Sequence, residues 1–172
     1  MMIISGGQSG VDRAALDIAI EHGLPWGGWC PRGGWAEDLP SPPGLLARYP
    51  WLQETPDADP AQRTEWNVRD SDAILIIVMA GGVAVSPGTM AACRHAARGN
   101  RPVRVADAGD RDAVAPVAAW LEAQHHRFGP DMKLGVGGPR ESEAPGIYRS
   151  ARTFLHRVLP AAAPSQPRSR RV

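Results

Sequence analysis

Apolar and polar positions alternate along this chain with two periods, one of strands and one of helices. Met2 to Ser5 is a short apolar run that stops at Gly6-Gly7. From Gly10 the period changes: Val11, Ala15, Ile18 and Ala19 recur at i, i+4, i+7 and i+8, one face of a helix, and Gly23 stands where a C-cap glycine ends it. Pro25 to Pro31 reads as a second, glycine-softened extended segment. From Pro31 to about Pro60 the chain is rich in Pro, Gly and Asp and has no periodicity; so long an irregular stretch in a compact domain is usually functional or disordered. Trp29, Trp35 and Trp51 in and beside it argue that it packs.

A helix is expected over Ala61 to Arg69, followed by AILIIVMA (Ala73 to Ala80), apolar on both faces as a central parallel strand is. A glycine-rich loop (Gly81, Gly82, Pro87, Gly88) precedes an alanine-rich helix from Thr89 to Arg98, closed by Gly99-Asn100. Arg101 to Ala106 reads as a strand, Val114, Val117, Ala118 and Leu121 as a helix running to about His125, and Lys133 to Val136 as a strand ending in Gly137-Gly138-Pro139. A last helix shows Ile147, Ala151, Phe154, Leu155 and Val158 on one face. Strand and helix alternating five times predict an α/β fold: a Rossmann-like, doubly wound, mainly parallel sheet flanked by helices, in one domain over residues 1–159. The remainder, residues 160–172, is low in hydrophobicity and rich in Pro and Arg, and is expected to be a disordered tail.

Composition narrows the function classes. At 172 residues, 43% hydrophobic and 22% charged, the chain is long enough for one real core. Nineteen basic against eighteen acidic side chains leave a net charge of +1, no electrostatic footprint for nucleic acid. The two cysteines, Cys30 and Cys93, form no CxxC unit and read as free thiols. The start, MMIISGGQSG, has no basic region and only a very short apolar run, and the longest apolar stretch is strand-sized; neither a signal peptide nor a membrane span is expected, and the reading is cytoplasmic.

The chemistry is expected at the carboxyl ends of the strands, where ligands sit in such sheets. Three loops converge there: GGQSGVD after the first strand, GGVAVSPGT after the central one, GGPRES after the last. Gly6, Gly7 and Gly10 allow a tight turn, and the helix beginning near Ser9 points its free N–H groups at that loop, a place suited to a phosphate or other oxyanion. Gly88-Thr89 opens a later helix in the same way, with Thr89 able to cap it or to donate its hydroxyl. Asp12, with Arg13, lies within a turn of the first loop, where its carboxylate can meet a ribose hydroxyl or cap the helix. Arg63, Asn67 and Asp70, spaced i, i+4 and i+7, share one helix face with Thr64 nearby, read as facing a ligand rather than solvent. Glu37-Asp38 can serve as a general base or as solvated loop charges. The histidines show no metal-ligand spacing, so no protein-ligated metal is expected.

The strings ISGGQSGVDRAALDIA, GGWCPRGGWAEDL, RTEWNVRDSDAILII and GVGGPRESEAPGIYRSARTFL, in this order from about Ile3 to Leu159, resemble the molybdenum carrier family. That family falls in a Rossmann-like superfamily with the LONELY GUY phosphoribohydrolases and DprA. The resemblance implies a parallel sheet of five or more strands, a homo-oligomer, and a small phosphorylated ligand: the molybdenum cofactor (molybdopterin) or a nucleotide. It also implies site residues. Gly6, Gly7, Gln8, Ser9, Gly10, Asp12 and Arg13 would form a first phosphate loop; Arg63, Thr64, Asn67 and Asp70 would line the site; Gly88 and Thr89 would supply a second anion contact. The related phosphoribohydrolases carry PGGxGTxxE, whose glutamate does the chemistry. Here SPGTMAAC keeps Gly88-Thr89 but has Ala92 in the place of that glutamate. A methyl group cannot accept a proton, which favours a binding protein over a nucleotide or N-glycosidic-bond hydrolase that would need Glu37 or Asp38 instead.

Overall fold

The computed structural model describes residues 1–160; the expected tail lies, but for Pro160, outside the described residues. The chain runs β1 (Met2–Ile4), α1 (Val11–Glu21), β2 (Trp26–Cys30), α2 (Leu45–Arg48), β3 (Leu52–Glu54), α3 (Pro60–Arg69), β4 (Ala73–Val78), α4 (Pro87–Arg98), β5 (Val103–Asp107), α5 (Val114–Phe128), β6 (Lys133–Gly137) and α6 (Ile147–Val158). The expected elements are present with ends moved by a few residues. The irregular segment departs from expectation: it contains the one-turn helix α2 and the edge strand β3, too short to impose a period on the sequence.

All strands are parallel, in the order β3-β2-β1-β6-β4-β5. The six residues of β4 are all buried, as its two-faced apolar run requires. The two faces of the sheet are unequal. On one, Leu75, Ile77, Leu134 and Val136 join the apolar sides of α1, α5 and α6 in the main core. On the other, only Val68 of α3 and Ala96 of α4 close over Ile74, Ile76 and Val78. The glycines of β6 explain the thinness. By register Gly135 stands between Ile4 of β1 and Ile74 of β4, and Gly137 beside Ile76. The K-L-G-V-G strand thus sends Leu and Val to the full face and glycine to the thin one. No helix among the described residues is long and apolar enough to cross a membrane.

Candidate functional site

The thin face leaves a cleft of about 320 Å³ between the sheet and the N-terminal ends of α3 and α4. It opens at the carboxyl edge over β6, between β1 and β4, the crevice where ligands of open α/β sheets bind. Its floor is apolar, from Ile4, Ile74 and Ile76, and its polar groups are few and specific.

Gln8, Asp12, Arg63, Thr64, Asn67, Gly88 and Thr89 of the expected site line this cleft, as does Ala92. Arg63 reaches from α3 over Gly6 and donates to Asp12 at 2.7 Å. A side chain at Gly6 would collide with that guanidinium. The backbone N–H groups of Gly138 and Gln8 also favour the charged form of Asp12. Burial pushes its carboxyl above the ordinary carboxylate value, against the opposing pull of Arg63 and those N–H groups. The ion pair is a strap across the top of the sheet, joining α1 on one face to α3 on the other.

Part of the first loop is engaged within the protein: the Ser9 N–H is taken by the Gln8 side chain at 3.0 Å and the Val11 N–H by the carbonyl of Pro139 at 3.2 Å. The Asp12 carboxylate, paired with Arg63, lies beside Gly6 of this loop. Gly7 faces Leu16, Leu45 and Leu52 in the core, and Gly10 is pressed against the backbone of Pro139 and Arg140; their positive φ angles of 69° and 79° serve the turn. Ser9 and Arg13 point the other way, into a more open depression behind the loop. There Arg13 donates to the Gly7 carbonyl at 2.9 Å and pairs with Asp38 through two bonds of 3.0 Å.

Two further expected residues have other work. Asn67 borders the cleft, but its amide clamps the backbone of Trp29, accepting its N–H at 2.8 Å and donating to its carbonyl at 2.9 Å, where β2 has parted from β1. Asp70 does not line the cleft. It is the C-cap of α3, at the opposite edge of the sheet, and accepts the indole N–H of Trp29 at 2.7 Å. Its i+7 spacing from Arg63 carried it two turns down the helix, about 10 Å from the site.

Glu37 and Asp38 line the open depression, not the cleft. Glu37 takes hydrogen bonds from Ser9 and from Ser142, whose Oγ lies at 2.5 Å, while its own N–H donates to Gln8. Burial works against its charge, but the bonds from Ser142 and Ser9 and the nearby Arg140 hold its carboxyl below the ordinary value. Asp38 is lowered by the Arg13 hydrogen bonds in spite of burial. Both carboxylates are latches between loops. The thiol of Cys30, buried and near Glu54, is pushed up to about 11, far from a thiolate nucleophile. No group of three or more His, Cys, Asp or Glu among the described residues is placed to hold a metal ion.

Trp35, read from the sequence as a packing residue, also lines the cleft, as do Arg140 and Glu143, which sequence reasoning passed over. Arg140 and Glu143 pair at 3.3 Å. Their signal lay in the GGPRES loop, recognised as converging on this edge without its charged residues being singled out.

The N-terminal end of α4 differs from that of α1. Ser86 caps it, accepting the N–H of Thr89 at 3.2 Å. Pro87 has no N–H, so Gly88 carries the first-turn donor left over. The Oγ1 of Thr89 is buried and has no hydrogen-bond partner among the described residues. A buried hydroxyl without a partner is costly, and its presence beside a helix N-terminus in a cleft points to an external acceptor.

Fold and cleft together define a Rossmann-like α/β protein with a cleft at the switch point of its sheet. The strand order is distinctive: with the β6–α6 unit moved to the front, it becomes 4-3-2-1-5-6, an unpermuted doubly wound sheet. The chain belongs to the circularly permutated YpsA SLOG family, whose model matches residues 3–159. It is also similar to a crystal structure of a "putative molybdenum carrier protein" from Syntrophus aciditrophicus SB, with 37% identity, a TM-score of 0.76, and 92% of this chain and 94% of that one covered. Among curated proteins no relative matches.

Proposed function

We propose that this protein binds a small phosphorylated, nucleotide-like ligand in the cleft, its anionic end at the N-terminus of α4. The unpartnered Oγ1 of Thr89 carries this reading. A phosphate oxygen there accepts from Thr89 and Gly88 and gains the positive end of a helix of three turns. Arg63, though paired with Asp12, lines the same cleft, and the apolar floor suits the body of such a ligand. The molybdenum cofactor fits this description: the amino-oxo-pyrimidine ring of its pterin is flat, its phosphate matches the Thr89 end, and its dithiolene holds the metal without protein ligands. The name of the Syntrophus protein supports that choice, with the protein acting as carrier of the intact cofactor. A nucleoside monophosphate shares the same chemistry. A hydrolase using Glu37 or Asp38 finds no support in their placement outside the cleft.

The test is mass spectrometry, with elemental analysis, of what the freshly purified protein releases on denaturation. A pterin with stoichiometric molybdenum is the expected result for the carrier. A nucleotide without metal keeps the phosphate site and removes the molybdenum. Absence of any phosphorylated compound, with no binding of added nucleotide, overturns the reading. The homo-oligomer implied by the resemblance belongs to the same proposal and is read by light scattering.

A further inference from the structure

Most tryptophans ahead of β4 are committed to one another. Trp26 stacks on Trp51 at 5.1 Å, and Trp29 meets Trp66 edge-on at 4.6 Å. Trp35 has no aromatic partner among the described residues; it is half-buried and lines the cleft. The segment that carries it is tied down on both sides. Gly34 donates to the Pro31 carbonyl at 2.9 Å, Ala36 and Leu39 form a bridge, Glu37 donates to Gln8, and Asp38 pairs with Arg13. The backbone that carries this large flat side chain is therefore held in place before any ligand arrives, which lowers the ordering cost of binding.

The position matters as much as the side chain. Gln8 and Arg13 follow β1, so the bonds of Glu37 and Asp38 fix Trp35 at the β1 end of the cleft. Thr89 follows β4. Only β6 separates these strands in the sheet, and both residues line the one cleft that lies over it. Between them the floor of Ile4, Ile74 and Ile76 offers no hydrogen bonds and suits the face of a ring.

We infer that Trp35 is the stacking face for a planar heteroaromatic ring, and that the cleft selects ligands that carry such a ring as well as a terminal phosphate. This rests on the reading of the Thr89 end as the anion end. It makes Trp35 a specificity residue: the phosphate anchors, and the indole distinguishes a ring-bearing ligand from a bare sugar phosphate.

Calorimetric titration of the full chain with guanosine 5′-monophosphate and ribose 5-phosphate tests it, because the pair differ by the ring alone, and guanine shares the amino-oxo-pyrimidine ring of a pterin. The wild type is expected to prefer the nucleotide by about ten-fold or more, the usual worth of one base–aromatic stack. Trp35→Ala should reduce that preference to about threefold or less while ribose 5-phosphate affinity stays; Trp35→Phe should keep most of it. An undiminished preference in Trp35→Ala, or equal binding of both probes by the wild type, overturns the stacking role and leaves the phosphate site standing. If Trp35→Ala loses both probes, Trp35→Phe decides: a kept preference supports the role and a lost one overturns it. Binding of neither probe by the wild type overturns this inference and the reading beneath it.

Discussion

Asp12 shows how one residue can satisfy a sequence motif and still act otherwise than the motif suggests. Its place after a glycine loop is that of a ligand-facing acid, yet its carboxylate is paired with Arg63 and ties α1 to α3. Arg63→Met leaves that buried carboxylate without its partner, at a cost of about 3–5 kcal/mol at pH 8. Because burial already raises the folded-state value, the charged form costs stability above it and the cost is relieved as pH falls through it. Urea unfolding should therefore show a smaller deficit at pH 5 than at pH 8; equal deficits would mean that Asp12 is not the group left stranded. Thr89→Val makes the complementary change. It removes a hydroxyl that the fold does not use, so stability should hold or rise by up to about 1 kcal/mol, while affinity for guanosine 5′-monophosphate falls about ten-fold. A loss of stability without loss of affinity would return Thr89 to a purely structural role.

At the scale of elements, helices and long strands were legible because each repeats its apolar positions often enough to show a period. β1 was legible at three residues because all are apolar and a glycine pair follows; β3 was not, since Leu52 is its one apolar residue, and α2 is a single turn. The loop between β2 and α2 has no period at all; its order comes from contacts remote in sequence, above all Glu37 with Ser9 and Ser142. Glu37→Gln should loosen this latch. The carboxyl is held below its ordinary value in the fold, so its contribution is present above that value and disappears as pH falls through the folded-state one. Loss of about 1–2 kcal/mol, a melting temperature lower by about 2–8 °C at pH 7, is expected, with the gap to wild type closing in acid. A gap that persists unchanged at pH 3 would assign the effect to shape rather than charge.

The whole molecule is a doubly wound sheet whose last strand lies at its middle. β6 enters between β1 and β4 and brings the glycines that open the cleft, so the site is complete only when the final strand is in place. α6 runs back from the carboxyl edge and leaves the chain at the edge where β1 begins, beside the Gly129-Pro130 turn that leads into β6. A permuted chain beginning at residue 130 and joining residue 159 to residue 1 by a linker of about six residues should fold and bind guanosine 5′-monophosphate within about twofold of the natural order. Circular dichroism and titration read the two properties separately; a folded permutant without binding would show that the order of the chain, not the sheet alone, shapes the cleft.

Local pattern was enough for the class of fold and for the edge that carries the site, because periodicity and glycine punctuation act between near neighbours, and the carboxyl-edge rule follows from parallel winding. It could not assign partners to charges. Whether Asp12, Glu37 or Arg13 faces a ligand or another loop depends on residues 25 to 105 positions away, and several of those loops meet only when β6 and α6 have joined the sheet. Gly88 and Thr89 reach the cleft, as their sequence suggested, because the helix that presents them is capped by its own neighbour Ser86. Asp70 lost the role expected of it because helical spacing fixes a face but not how far down that face the cleft extends.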